Sequence, residues 1–215
     1  KPLVEKYIGS LPVSKKLTKL ADDGVRAVKG EVVNDFKAKM QQPKVGLTRI
    51  YTGPIDYTIK NRVAMNVLSQ VLRSRYTISI REEKGGTYGV HVQGGINKEP
   101  VEQYMAIIVF DTNEQLADEL VDICYAEIEK IAAEGPLAED VAKSKEFLQK
   151  NYANVLENNS GWMSAITRWY EEGYNYKEEY LGILESITLE DIQAMAQKIL
   201  KDNTRTLFIM RPEAK

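Results

Sequence analysis

Arg75-Tyr76-Thr77-Ile78-Ser79-Ile80-Arg81-Glu82-Glu83-Lys84-Gly85-Gly86-Thr87-Tyr88-Gly89-Val90 is the stretch on which the reading of this 215-residue chain turns. Before it, Val63, Ala64, Val67, Leu68, Val71 and Leu72 recur at i, i+1, i+4 and i+5, which is one face of a four-turn helix. The helix ends in the Arg81-Glu82 pair and turns through Gly85-Gly86. It then enters a strand in which Tyr88, Val90 and Val92 alternate as far as Gly94-Gly95. Upstream, Val45 to Tyr51 is rich in Val, Ile, Thr and Tyr and reads as a strand closed by Gly53-Pro54. Residues 1–9 place Leu3, Val4, Tyr7 and Ile8 at helical spacing, and Gly9 and Pro12 stop that helix. Residues 13–35 carry no clear period and read as a linker.

Downstream, Gln103 to Phe110 is apolar on both alternating sets, as in a strand buried on both faces. Four helices are expected after it. Thr112 with Gln115 forms a capping-box pattern for the first, which turns Leu116, Leu120, Ile123, Ile128 and Ile131 inward before Gly135-Pro136. The second carries Val141, Leu148, Tyr152, Val155 and Leu156. Ser160 caps the third, with Trp162, Met163, Ile166, Trp169 and Tyr170 as a packing face. Thr188 caps the fourth, with Leu189, Ile192, Met195, Ala196, Ile199 and Leu200 inward. Thr204 to Met210 closes the chain as a strand. Clustered strands and clustered helices indicate an α+β fold, a largely antiparallel sheet packed against helices.

Composition narrows the chemistry. Lys plus Arg is 29 and Asp plus Glu 31, a net charge of −2, so the electropositive field of a nucleic-acid binder is missing. No apolar run approaches the ~20 residues of a membrane span, and the chain reads as soluble. A single cysteine, Cys124, and a single histidine, His91, exclude an internal disulfide and fall short of a zinc site of two or three imidazoles. His91 can be a lone base or ligand, or a hydrogen-bonded structural residue; with no second imidazole the structural role is expected. Cys124 reads as a buried thiol. Glu171-Glu172 and Glu178-Glu179 read as solvated surface. Gly85-Gly86 lacks the spacing of a phosphate-binding loop and reads as a tight turn. The chain opens on Lys1 without an initiator Met or a signal-like segment, as expected for a processed or excised piece, and its compartment stays open.

The Arg75–Val90 stretch closely resembles the signature of the pitrilysin/insulinase family of zinc metallopeptidases, in a domain without the zinc site. The family pattern runs Arg-Leu-aromatic, two residues, an aliphatic, Arg-Glu, a Gly-containing turn and an aromatic-rich strand start; here Tyr76 and Thr77 replace the Leu and the aromatic. Leu3 to Pro12 is similar to the end of a preceding domain in that family. Gly53-Pro54, the helical second half and Thr188-Leu189-Glu190-Asp191-Ile192 also fit, so the likeness spans nearly the whole chain.

The resemblance implies that residues 1–25 are the end of a preceding domain and its linker, and that 26–215 form the C-terminal peptidase-like domain. It also implies a zinc metalloendopeptidase whose zinc is held through His-x-x-Glu-His by a zinc-bearing N-terminal domain or subunit. This chain then holds no zinc and is inactive alone. Its partners are that domain and a peptide substrate, with no nucleic acid and no membrane span. Arg81 and Tyr88 match an Arg and a Tyr that the family brings to the active site, where they stabilise the charge on an attacked carbonyl oxygen or orient substrate backbone. Read without the resemblance, the same pair is a helix-capping Arg and a sheet-packing Tyr. The alternative function is a non-catalytic peptide-binding or structural subunit of the same fold.

Overall fold

The computed structural model describes residues 1–13 and 21–213. Among them, five strands form one sheet: β1 (Gly30–Ala38), β2 (Val45–Pro54), β3 (His91–Asn97), β4 (Gln103–Thr112) and β5 (Thr204–Pro212). Their order is β1-β5-β2-β4-β3. Every pairing is antiparallel except β1 with β5, which is parallel. The helices are α1 (Pro2–Tyr7), α2 (Ile59–Tyr76), α3 (Ala117–Glu134), α4 (Ala138–Leu156), α5 (Asn159–Glu172), α6 (Tyr176–Ser186) and α7 (Leu189–Asp202), with a π-helical turn over Thr77–Glu82. The fold is α+β with a mostly antiparallel sheet.

The core follows from period-2 and period-3.6 burial meeting on one sheet face. Leu47, Tyr51, Tyr104, Ile108, Leu207 and Ile209 supply the sheet side. Val63, Val67 and Val71 of α2, Leu120 and Ile128 of α3, and Ile192, Met195 and Ile199 of α7 supply the helices. Contact between α2 and β3 is close because Gly94 carries no side chain: a Cβ there would lie 2.8 Å from Met65 Sδ and closer still to Ser69 Oγ. Thr188 caps α7 as expected, in a reciprocal pair with Asp191.

Several expectations are corrected. The linker over 13–35 gives way to β1 from Gly30, and its residues 14–20 lie outside the described residues. β1 shows no period because it is an edge strand exposed along most of its length. The helical second half contains a fifth helix, α6, whose Tyr180 and Leu184 are buried. The strand expected to start at Tyr88 starts at His91, and Gly94-Gly95 lie inside it rather than ending it. Thr112 closes β4; the N–H of Leu116 at the head of α3 is bound by Asn113 Oδ1 at 3.0 Å. Asn158, not Ser160, caps α5 by accepting from the Gly161 N–H.

The largest correction concerns α5. Trp162, Met163, Ile166, Trp169 and Tyr170 do share one side of it, but that side is exposed. The inward residue is Gly161, where any Cβ would run into the Val155 carbonyl. β4 is likewise buried on one face only, with Met105, Ile107 and Val109 half-buried on the other. No helix of the described residues is long and apolar enough to cross a membrane.

Candidate functional site

The end of α2 is fixed before it presents anything. Tyr76 is buried and its hydroxyl donates to the Cys124 carbonyl on α3 at 2.8 Å. Thr77 and Ser79 hydroxyls donate back to the carbonyls of Arg73 and Arg75 at 2.8 and 3.0 Å. The backbone then widens into the π-helical turn, in which the Glu83 N–H reaches the Ile78 carbonyl at 3.0 Å. Ile80 is fully buried. Gly86 is buried too, and a Cβ on it would meet Leu120 Cδ1 at 2.7 Å. Ile80 and Gly86 therefore pin the turn on either side of Arg81–Gly85. Gly85, at φ +61°, supplies the left-handed residue that reverses the chain. Lys84 adds a tie to Glu119 of α3 at 2.6 Å, which raises the Lys84 pKa.

Arg81 stands exposed on the last turn of the π-helix. Tyr88 is completely exposed, in a bend stiffened by Thr87, whose hydroxyl donates to the Gly89 carbonyl at 3.1 Å. Among the described residues neither side chain has a hydrogen-bond partner or an ion-pair partner, and no hydrogen bond joins the two. A helix-capping role for Arg81 and a sheet-packing role for Tyr88 both require contacts that these residues do not make. Tyr88 borders a cleft of about 640 Å³ with Lys44, Asp111 and Asn113; Lys44 Nζ lies 2.5 Å from Asp111 Oδ2. A smaller cleft of about 340 Å³ shares Asp111 and takes in Arg73 and His91. The sequence reading missed Lys44 and Asp111. Only the β2–β4 register, which sets Gly46 opposite Asp111, brings them beside Tyr88.

The other candidates sort by environment. His91 is exposed at the start of β3, on the face opposite Val90 and Val92. Cys124 is buried and its thiol is pushed up to about 12 by burial, so it is not a nucleophile at neutral pH. Glu172 corrects the expectation of a solvated acidic pair. Arg62 Nη1 holds it at 2.7 Å and the Tyr57 hydroxyl donates to it at 2.7 Å. Glu178 and Glu179 do lie on the surface. Among the described residues no three His, Cys, Asp or Glu side chains gather where a metal ion could be held. One exposed imidazole and one protonated thiol do not fit zinc.

An α+β domain that presents an Arg on a pinned turn and a Tyr just past it, and whose described residues include no ligand set for a metal, is the class that fold and site define. The chain belongs to the peptidase M16 family: residues 1–148 match the model described as the Peptidase M16 inactive domain. Among curated proteins it is 27% identical over 164 residues to a zinc protease PQQL-like protein of Arabidopsis thaliana, covering 68% of this chain and 17% of that protein. Among solved structures it is similar to the periplasmic protease PqqL from Escherichia coli, at TM-score 0.75 and 15% identity, covering 99% of this chain and 24% of that one. The ferredoxin protease FusC, solved as a mutant in complex with Arabidopsis ferredoxin, gives TM-score 0.77 and 18% identity over 99% of this chain and 23% of that one. A protease from Helicobacter pylori gives TM-score 0.79 and 16% identity over 98% and 52%. At these identities the solved structures establish the fold. The chain spans about a quarter or less of the length of the PqqL and PQQL-like proteins.

Proposed function

We propose that this chain is the C-terminal, substrate-enclosing domain of a zinc metalloendopeptidase, contributing Arg81 and Tyr88 to an active site whose metal is held by a separate N-terminal domain or subunit. The observation that carries the reading is the pinned turn. Ile80 and Gly86 are locked into the core while Arg81 and Tyr88 face solvent with no partner among the described residues. Such groups cost little to leave free and are available to another molecule. Cleavage of a peptide bond develops negative charge on the carbonyl oxygen. The Tyr88 hydroxyl and the Arg81 guanidinium are donors suited to that oxygen or to the neighbouring backbone.

The substrate class is a peptide or unfolded polypeptide held extended, in part by addition to a free sheet edge such as β3. A relative solved with a protein substrate supports the polypeptide class. Residues 1–25 belong, on this reading, to the end of a preceding domain; α1 buries none of its side chains, consistent with a missing neighbour.

The test compares this chain alone, the intact protein, and intact Tyr88→Phe and Arg81→Ala variants on peptides of several lengths. The chain alone should bind no stoichiometric zinc and cleave nothing, and both variants should lose activity while staying folded. Unchanged kcat/KM in both would leave the domain a non-catalytic wall or subunit.

A further inference from the structure

A third cleft, of about 530 Å³, lies between α2 and α5, walled on a third side by α4 and floored by Val92 and Gly94 of β3. Its size suits a ligand of a few residues. It shares no lining residue with the two clefts near Tyr88.

The lining is unusual for a chain with more acids than bases. It contains two arginines and no Asp or Glu. Arg62 is neutralised by Glu172. Arg168 has no ion pair among the described residues, and its guanidinium carbon rests 5.9 Å from the Tyr176 ring centre. The cleft therefore holds one uncompensated positive charge. Around it, Asn66, Gln70, Asn151 and Ser164 line the walls with side chains that make no hydrogen bond among the described residues. Tyr174, only 5% exposed, also lines the cleft, and its buried hydroxyl has no partner. A buried hydroxyl without a partner costs free energy that a bound acceptor restores. The N-terminus of α5 opens on the same space through Asn158 and Ser160, adding partial positive charge.

We propose that this cleft binds the terminal carboxylate of a peptide, with Arg168 as its charge partner and the free amides holding the last backbone groups. A single guanidinium beside neutral amides matches one carboxylate in a two-bond pair; a phosphate calls for more cation. Amides both donate and accept, as a peptide backbone requires. Leu148 and Val155 on the α4 side leave an apolar wall for a terminal side chain. The proposal rests on the reading of this domain as one that encloses peptides.

The test titrates the 215-residue chain with an N-acetylated pentapeptide ending in leucine, as the free acid and as the C-terminal amide, by calorimetry and by amide-resolved NMR. The acid should bind at least about tenfold tighter than the amide, with shifts at Asn66, Gln70 and Ser164. Acetate alone should compete only weakly. Arg168→Met should erase the difference between acid and amide. Arg168→Lys should keep part of it, because the charge stays and the fork is lost. Thermal melts of both variants establish that they fold.

Equal binding of acid and amide, a preference that survives Arg168→Met, or no binding of either peptide overturns the proposal. So does acetate competing as well as the peptide acid, which would make the cleft a simple anion site. If the acid preference is missing while Tyr88→Phe still impairs the intact enzyme, only the cleft falls. If the preference is present and Tyr88→Phe is silent, the cleft stands and the catalytic reading falls.

Discussion

At its N-terminal end α2 ties its charges to other helices: Lys60 reaches Asp191 of α7 at 2.8 Å, and Arg62 holds Glu172 of α5 at 2.7 Å with Tyr57 bridging. Past its C-terminal end Arg81, on the last turn of the π-helix, and Tyr88, in the bend beyond Gly85-Gly86, have no side-chain partner among the described residues. The turn that carries them is anchored on either side by the buried Ile80 and Gly86. Groups that hold the fold together are engaged; groups left free on a fixed frame are free for something outside it. If that division is right, substitutions at one end change stability and substitutions at the other change activity.

The largest effect belongs to the free end. If the proposed function holds, Tyr88→Phe in the intact protein should lower kcat by roughly 10²–10³, the usual cost of one donor to a developing oxyanion. Its melting temperature should stay that of the parent. Arg81→Ala should cost activity with a raised KM as well, since a guanidinium holds bound substrate as well as the transition state. A fall in stability with normal turnover in either variant would break the comparison.

At the engaged end, Glu172→Ala should destabilise the chain by about 1.5–3 kcal/mol. It strands Arg62, whose side chain is only 18% exposed, and removes the acceptor of the Tyr57 hydroxyl. Urea unfolding measures this, and the double variant with Arg62→Met should lose less than the sum of the two singles.

A smaller loss follows at the α7 cap, where Lys60 docks. Thr188→Ala removes the acceptor of the Asp191 N–H and should cost about 1 kcal/mol. The pH dependence there is smaller still. Burial pushes the Asp191 carboxyl up, but the Lys60 hydrogen bond and the Thr188 N–H outweigh it and leave the pKa lowered. Its folded pKa lies below its unfolded one, so its contribution is whole above about pH 4 and fades as pH falls through the folded value. Asp191→Asn should remove a few tenths of a kcal/mol of acid sensitivity from the unfolding curve.

Which parts were legible follows the same division between inward and outward residues. α2, α3, α4 and α7 declare themselves because one stripe of each is buried on the sheet, and burial is what makes hydrophobic spacing periodic. β1 hides because it is exposed along most of its length, and its charged Glu31 and Asp35 share a face with Val33 while Asn34 shares the other with Val32 and Phe36. Glu31 and Asp35 are there to meet Arg205 and Arg211 of β5, and that need overrides alternation. α6 hides because its stripe is Tyr176, Tyr180 and Leu184, two tyrosines beside the exposed Glu178-Glu179 pair. α5 misleads in the opposite sense: its apolar stripe is real, but spacing alone does not say what covers it.

At the proposed site, Arg81 and Tyr88 are picked out by a motif resemblance. Lys44 and Asp111 are not, because strand register, invisible in a linear reading, brings them to Tyr88. The alternation of Tyr88 with Val90 and Val92 even suggested the wrong environment for Tyr88. It stands in a bend outside the sheet, three residues before β3 begins.

The central place of β5 bears on how such a domain is made. β5 lies between β1 and β2, parallel to one and antiparallel to the other. On the ribosome, Gly30–Ala38 emerges early and then waits for its sheet partner until nearly the whole domain has been synthesised. Until then it is an orphan strand, and β2 shows a bare edge next to half-finished helices, the kind of nascent surface that invites mispairing and chaperone capture. The closing step is also the one with the widest sequence separation, which slows it. Deleting Thr204–Pro212 would remove nine residues from the sequence but take two strands, β5 and the β1 that pairs only with it, out of the sheet.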